Sequence, residues 1–482
     1  MRLSELIHED EVIGGFEDAE IGAPRAAADE VGDGDLYIIP KNDRRAYRTP
    51  HGRPNVTVVG DEVDVPEGAG RVIRAKNARR LTAFIFARYY GVKSLRAQVI
   101  GVTGTAGKTT TATMIERILQ ADGRRVAFIG TGRVAIDGVE ISDKYYAMTT
   151  PDPWYLYRVL REAEAAGCDA VVMEVSSHSL ALHKVDPIKF TLGIFTNLTP
   201  EHLDFHGDME NYFHAKMRLA ELSERMLFCL DDAYGRRGAE MVGGAGAGVL
   251  WDGDYRATAV RERGFKGSTY LFRGESFCFI QSLPIPGVYN VYNAILATAA
   301  TVMLGVRPCI ARKCLTEFSS PLGRYEIIKD EITVIIDYAH TAAALKNLLK
   351  SINSYKKARQ RLTVVFGAGG DRDRTKRPEM GKAVEESADF AIITDDNPRA
   401  EDPTAITAEI AAGFTGTAFR IINDREAAIT EAILTAKAGD LVAIVGKGAE
   451  RYVIDGNGSR DFDERAIIRA ALSERRRNEN RA

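Results

Sequence analysis

The sequence predicts an α/β protein built on parallel sheets, and two observations carry that expectation. Two long stretches alternate short apolar runs with helical patterns, which is how strands joined by crossover helices appear in sequence. The first of these stretches opens on an apolar run, a glycine-rich turn and a helical pattern, VIGVTGTAGKTTTATMIERIL at 99–119.

In the first stretch VIGVTG, RVAFIG, DAVVMEVSS, LGIFTNL and MLFCLDD are too short for helices, and KTTTATMIERILQADG and PWYLYRVLREAEAAG are helical patterns between them. In the second, ITVIIDYA, LTVVFGAGG, FAIITDDN and LVAIVGKG are the strands. ALKNLLKSI, EMGKAVEES and REAAITEAILTAKAG are the intervening helices of a doubly wound pattern. The first ~97 residues are shorter in strand and richer in Pro, Gly and charge, which predicts a separate small domain. A chain of 482 residues is thus expected to divide at 1–97, 98–322 and 323–482.

Composition narrows the function. Lys and Arg number 64 against 67 Asp and Glu, so there is no global basic field for nucleic acid or an anionic membrane. Cys168, Cys229, Cys278, Cys309 and Cys314 form no CxxC pair, and an odd number suits reduced thiols better than a disulfide framework. The start, MRLSELIHEDEVIGG, carries acids where a signal peptide needs a basic start and an apolar segment, and no apolar run approaches ~18 residues. The expectation is a soluble, cytoplasmic, monomeric protein acting on small molecules.

The glycine-rich turn is expected to hold the phosphates of ATP. Gly101, Gly104 and Gly107 let backbone amides converge, Lys108 adds a cation, and Thr109 opens a helix whose N-terminal dipole favours anions. The spacing departs from G-x-x-x-x-G-K-[ST], since Gly101 and Gly107 enclose five residues. Mg²⁺ takes oxygen ligands, and Thr109 and Glu174, at the end of VVME, are candidates at the carboxyl ends of strands. In FTNLTPEHLDFHGDMENYFHAKMRLA, 195–220, His202, Asp204, His206, Asp208 and Lys216 cluster without the spacing of a tetrahedral zinc site, so a second magnesium site is the more economical expectation. IDYAHTAAALKNLL places Asp337 and His340 at a strand end, and LGRYE places Arg324 at the start of the third part.

Ten segments carry a resemblance: GVTGTAGKTTT, TTPDP, MEVSSHSLALHKV, FTNLTPEHLDFHGDMENYFHAK, PGVYNVYNAILA, GRYE, DYAH, FGAGGDRDRTKRP, TDDNPRAEDP and GKGAE. In this order they resemble the Mur ligases of peptidoglycan synthesis, and within them the diaminopimelate-adding branch. Folylpolyglutamate synthetases share the ATP-site logic but are not expected to combine MEVSSH, HLDFHGDM and DNPR. The resemblance implies three domains, with a central P-loop ATPase domain and a C-terminal Rossmann-like domain. It also implies a reaction in which ATP phosphorylates a carboxylate and an amine displaces phosphate to form an amide.

What the resemblance assigns is specific. Gly104, Thr105, Gly107, Lys108, Thr109, Thr110, Asn293, Arg324, Asp337 and His340 fall to ATP. Thr109, Glu174 and His202 fall to magnesium, with Lys216 as a carbamate, so Lys108, Lys216 and His202 are the implied catalytic residues. Thr149, Thr150, Ser176, Ser177 and Lys184 fall to the UDP-muramyl dipeptide. Arg372, Asp396, Asn397, Arg399, Gly446 and Glu450 fall to diaminopimelate, arginines gripping the distal carboxylate and Glu450 pairing with the ammonium.

The sequence also departs from the family. Only VGDGDLYIIP at 31–40 resembles the usual N-terminal segment, and NDRRAY follows where a longer loop is expected. Ala106 and Cys229 stand where asparagine is usual, Ala449 where histidine is frequent, and Lys184 where arginine is. Three alternatives therefore stay open: a paralogue joining an amino acid to another carboxylate, a P-loop ATPase without ligase activity, and an inactive binding homologue. Retention of Lys108, Glu174, His202 and Lys216 argues against the last.

Overall fold

The computed structural model describes residues 1–40, 49–60, 63–92, 95–141, 148–416 and 418–479, so the NDRRAY segment lies outside it. One unit comprises Met1–Arg256, Gly274–Phe277 and Ile295–Arg312, and the other Ala257–Arg273, Cys278–Ala294 and Lys313–Ala482.

The first unit begins with β1 (Val12–Ile13), β2 (Pro24–Arg25), β3 (Leu36–Ile39), β4 (Val56–Val59) and β5 (Arg71–Ala75), ordered β1-β5-β4-β3-β2. β3 and β4, LYII and VTVV, are buried along their whole length, as continuous apolar runs in a covered sheet should be. Helix α1 (Ala78–Tyr89) follows, its first turn capped by Asn77, whose side chain accepts from Arg80 N. One apolar core runs from Leu36 and Ile85 through Val99 to Leu156 and Val171. Residues before and after position 97 thus share a core within this unit.

Next come β6 (Gln98–Thr103), α2 (Lys108–Ala121), β7 (Val126–Gly130), β8 (Arg133–Ile136), β9 (Val139–Glu140), α3 (Pro153–Ala165), β10 (Ala170–Glu174), α4 (Ser177–Ala181), β11 (Leu192–Phe195), α5 (Leu203–His206), α6 (Met209–Glu221), β12 (Met226–Cys229), α7 (Ala233–Val242) and β13 (Ala245–Gly248). The strands lie in the order β13-β12-β11-β6-β10-β7-β8-β9. They are parallel from β13 to β7, and β8 and β9 return antiparallel. Register then decides what meets at the carboxyl edge: Glu174 of β10 lies opposite Val102 of β6, and Phe195 of β11 opposite Thr103. The chain continues through β14 (Tyr255–Glu262), the antiparallel hairpin of β15 (Ser268–Arg273) and β16 (Cys278–Leu283), α8 (Val288–Met303) and α9 (Pro308–Thr316).

In the second unit, β17 (Glu326–Lys329), β18 (Thr333–Asp337), α10 (Ala342–Tyr355), β19 (Leu362–Phe366), α11 (Lys376–Glu385), β20 (Phe390–Ile393), α12 (Pro403–Ala411), β21 (Phe419–Ile421), α13 (Arg425–Thr435) and β22 (Leu441–Val445) precede the hairpin of β23 (Tyr452–Asp455) and β24 (Gly458–Asp461) and helix α14 (Glu464–Glu479). The sheet order is β17-β18-β22-β19-β20-β21, parallel except for β17. Alternate residues feed two cores: Ile335, Val364 and Phe366 pack with Leu345 and Ile410, while Val334, Ile336 and Val365 pack with Ile429 and Leu472. A sheet buried on both faces is the doubly wound arrangement.

A buried ion pair ties α13 to α14. Arg425 Nε donates to Glu464 Oε1 at 2.6 Å, and its other nitrogens donate to Asp395 O and Val445 O. Removing one partner strands the other charge, so Arg425→Met is expected to cost about 3–5 kcal/mol. Hydrogen exchange of the β22 amides under urea should register that loss, and a cost below about 1 kcal/mol would contradict it.

Candidate active site

The site residues of the first unit lie at the carboxyl edge of β6, β10, β7 and β11, in the helices that follow, or, for Thr149, Thr150 and Lys184, in loops before α3 and after α4. The turn after β6 bends at Gly104, φ 147°, where a Cβ would collide with Thr196 Oγ1. Gly107, φ 83°, starts α2. Lys108 Nζ donates to Gly104 O and Thr105 O, both at 2.9 Å, so the ammonium is held within the turn where phosphate oxygens would displace those carbonyls. Asn197 braces the turn from β11: its Oδ1 accepts from Ala106 N at 2.9 Å and its Nδ2 donates to Ala106 O at 3.0 Å. Thr196 Oγ1 donates to the same carbonyl at 2.7 Å.

Glu174 has no exposed surface. Its Oε2 accepts from Thr109 Oγ1 at 2.9 Å and Thr131 Oγ1 at 3.2 Å, and its Oε1 from Thr131 N at 2.8 Å. At Gly130 a Cβ would collide with Oε1, so this approach requires glycine. A carboxylate and a threonine hydroxyl at the mouth of a phosphate turn fit Mg²⁺, which binds through one or two carboxylates plus substrate phosphates and water. Among the described residues no group of three His, Cys, Asp or Glu could hold a metal ion.

Lys216, on α6, is 2% exposed and donates to Gly104 O at 2.8 Å, 4.6 Å from the centre of the Tyr212 ring. Burial, then the neighbouring Lys108 charge, hold its amine well below the usual lysine range. His202, with φ 56°, starts α5, and its ring lies 4.8 Å from that of His178. Partial burial, with smaller contributions from His178, Lys108 and Lys216, lowers its pKa despite the opposing Glu201. Thr110 is buried on α2.

The hydroxyls assigned to the acceptor adjoin the same strand end. Thr150 Oγ1 donates to Glu174 O and accepts from Ser176 N, both at 3.0 Å. Thr131 Oγ1 lies 3.0 Å from Thr149 Oγ1, whose hydroxyl can donate to it while Thr131 donates to Glu174. Ser177 Oγ lies 3.0 Å from His206 Nε2, and the His206 ring stacks on Tyr212 at 4.9 Å. Lys184 pairs with Asp152 at 2.7 Å.

In the second unit the loops after β18, β19, β20 and β22 carry most of the remaining residues, while Arg324 precedes β17 and Asn293 lies on α8. Asp337 accepts from Tyr325 N and Ala339 N, and burial raises its pKa against the pull of Arg324. Arg324 lies 4.3 Å over the Tyr338 ring, and His340 Nδ1 is 2.8 Å from Tyr338 O. Asn293 is buried and donates to Asn290 Oδ1 at 3.0 Å. Gly446, φ 113°, donates its N–H to Asp337 O. Asn397 Nδ2 donates to Glu450 Oε2 at 2.9 Å, while Asp396 lies 3.2 Å from Lys447 Nζ. Burial raises the Glu450 pKa, and Asp396 adds to that rise. Arg399, φ 54°, donates to Gly370 O at 2.8 Å, and Arg372 is exposed on the loop after β19.

Residues 102–301 match the Mur ligase middle domain, and 323–448 match the Mur ligase, glutamate ligase domain. The chain is 38% identical over 422 residues to a UDP-N-acetylmuramoyl-L-alanyl-D-glutamate--2,6-diaminopimelate ligase of Clostridioides difficile (strain 630), covering 86% of each. The chain belongs to the Mur ligase family.

A ligase of the same name from Nostoc sp. is 37% identical to this Mur ligase over 484 residues, 95% of each chain. A solved structure of a protein so named matches at TM-score 0.64 and 26% identity, over 95% of both chains. The fold also extends to a Mycobacterium tuberculosis folylpolyglutamate synthase, TM-score 0.63 at 19% identity, over 76% of this Mur ligase and 92% of that chain. Sequence reasoning about this Mur ligase missed Thr131, Asn197, Tyr212 and Lys447. Thr131 follows RVAFIG and Asn197 follows LGIF, so position after a strand was the available signal.

Asn197→Ala removes both ties to Ala106 and is expected to raise the Kd of this Mur ligase for ATP about tenfold with the fold intact. Titration calorimetry beside circular dichroism checks it; an unchanged Kd contradicts the bracing role.

Proposed function

We propose that this chain is an ATP-dependent, ADP-forming ligase that adds meso-diaminopimelate to UDP-N-acetylmuramoyl-L-alanyl-D-glutamate in peptidoglycan precursor synthesis. One observation carries it: a chain 37% identical over 95% of its length to a 2,6-diaminopimelate ligase places Arg399, Asn397 and Glu450 around the strand ends of its second unit. The reading includes division at 1–97, 98–322 and 323–482, a monomeric enzyme, and a cytoplasmic setting. No described helix is long and apolar enough to cross a membrane.

In this reading the γ-phosphoryl group of ATP passes to the glutamate carboxylate, giving an acyl phosphate and ADP. The amine of diaminopimelate attacks the acyl carbon, loses a proton, and inorganic phosphate departs as the amide forms. Lys108 leaves its loop carbonyls to offset charge on the transferring group, because phosphoryl transfer depends chiefly on positioning and charge stabilisation. Mg²⁺, when bound, neutralises phosphate charge and is held by Thr109, Glu174, His202 and the carbamate of Lys216. An unprotonated Lys216 amine adds CO₂ and releases a proton, which turns a buried cation into an oxygen donor; its depressed pKa supports this. Thr149, Thr150, Ser176, Ser177 and Lys184 orient the acceptor. Arg399 and Arg372 grip the distal carboxylate of diaminopimelate while Glu450 meets its ammonium.

Lysine lacks that carboxylate and leaves an arginine unpartnered. With ATP, Mg²⁺ and the UDP-muramyl dipeptide, amide product measured by mass spectrometry should favour diaminopimelate over lysine on the order of 10²-fold or more. Arg399→Ala should erode that preference more than it weakens ATP binding. Equal use of both amines contradicts the assignment. Consumption of ATP with another carboxylate favours the paralogue, which the departures within 1–97 support.

Lys216→Ala should lose most ligation while adenine-nucleotide binding persists, and short-chain carboxylic acids should restore part of the activity. Full activity in that variant removes the carbamate.

A further inference from the structure

Lys447 lies in GKGAE between two residues assigned to the amino acid, yet nothing in the proposed reaction uses it. It has no exposed surface. Its Nζ donates to Asn397 Oδ1 at 3.0 Å and to Tyr452 O at 2.9 Å, lies 3.2 Å from Asp396 Oδ1, and is 3.9 Å from Glu450 Oε2. Of the three N–H groups of the ammonium, two donate to Asn397 and Tyr452, and the charge lies beside Asp396. Lys447 is therefore turned toward protein groups.

Two consequences follow from that arrangement. Asn397 Oδ1 accepts from Lys447 and from Ile454 N, which leaves the amide nitrogen facing Glu450. Burial pushes the Asp396 pKa up, but the Lys447 ammonium, with smaller help from Arg425 and His340, holds it below the usual range. Glu450 then stands as the acid available to a ligand ammonium, with Arg399 nearby for a carboxylate.

We propose that Lys447 is a positioning residue that sets the charge balance of the amino-acid pocket, and through it the preference for a distal end bearing both an amine and a carboxylate. The proposal rests on the diaminopimelate reading above. Without the Lys447 charge, Asp396 and Glu450 lose their strongest cationic partner and keep only the weaker influence of Arg425 and His340. That repels a distal carboxylate but not a lone ammonium, so diaminopimelate suffers and lysine does not. A purely structural role would damage both amines alike.

The test measures kcat and KM for diaminopimelate and for lysine, at saturating ATP and acceptor. The full-length proteins compared are the wild type, Lys447→Met, Lys447→Gln, and Lys447→Met combined with Asp396→Asn. In either single variant the diaminopimelate-to-lysine ratio of kcat/KM should fall at least about tenfold, chiefly through KM for diaminopimelate. The double variant, which removes both charges of the pair, should regain most of the ratio. Lys447→Gln retains an N–H for Asn397 and carries the comparison if Lys447→Met does not fold. Equal losses for both amines, or a double variant no more selective than the single one, overturn the proposal. A wild type that joins neither amine overturns the functional reading itself, a result distinct from a selective wild type whose variants keep their ratio.

Discussion

A carboxylate without exposed surface at the end of an apolar strand constrains the whole first unit. An ionised Glu174 costs several kcal/mol to bury unless donors reach both oxygens. They come from two sides: Thr109 on the first turn of α2, and the backbone and hydroxyl of Thr131 beyond β7. That supply requires β10 to lie between β6 and β7, as it does. With the strand order settled, the glycine-rich turn after β6 and the Asn197 brace after β11 meet at one edge.

The second unit meets the same problem with opposite sign. Lys447 is a buried cation between two segments, TDDNPR after β20 and GKGAE after β22, and joins them through Asn397 and Asp396. In both units the strand order puts the loops at the carboxyl ends of a parallel sheet, where doubly wound folds place their ligands. The buried charges then determine how those loops face one another. Each unit thus carries at its strand ends a buried charge whose desolvation the neighbouring loops must offset.

Much of this was legible in the sequence because it is local. Strands such as VIGVTG and LVAIVGKG, and helices such as KTTTATMIERILQADG, declare themselves by period and by glycine punctuation. Lys108, Thr109 and Glu174 could be placed because each falls at a strand end or helix start. Asn197, Thr131 and Lys447 could not, because their meaning depends on strand order: Asn197 reaches Ala106 only when β11 lies beside β6. Lys447, in a glycine-flanked loop, carries no sign in sequence that it is buried. The opening ~97 residues differ from the rest in composition, and which apolar faces they pack against, as Leu36 and Ile85 do with Val99 and Val171, depends on the fold.

The central claim is that the acceptor carboxylate is activated as an acyl phosphate, and the fate of its oxygen tests this most directly. The dipeptide acceptor labelled with ¹⁸O in the glutamate side-chain carboxylate is turned over with ATP and diaminopimelate, and inorganic phosphate is analysed by mass spectrometry. Transfer of one carboxylate oxygen to the acyl phosphate predicts one ¹⁸O in phosphate for each amide formed. Phosphate free of ¹⁸O, with amide accumulating, would contradict the account.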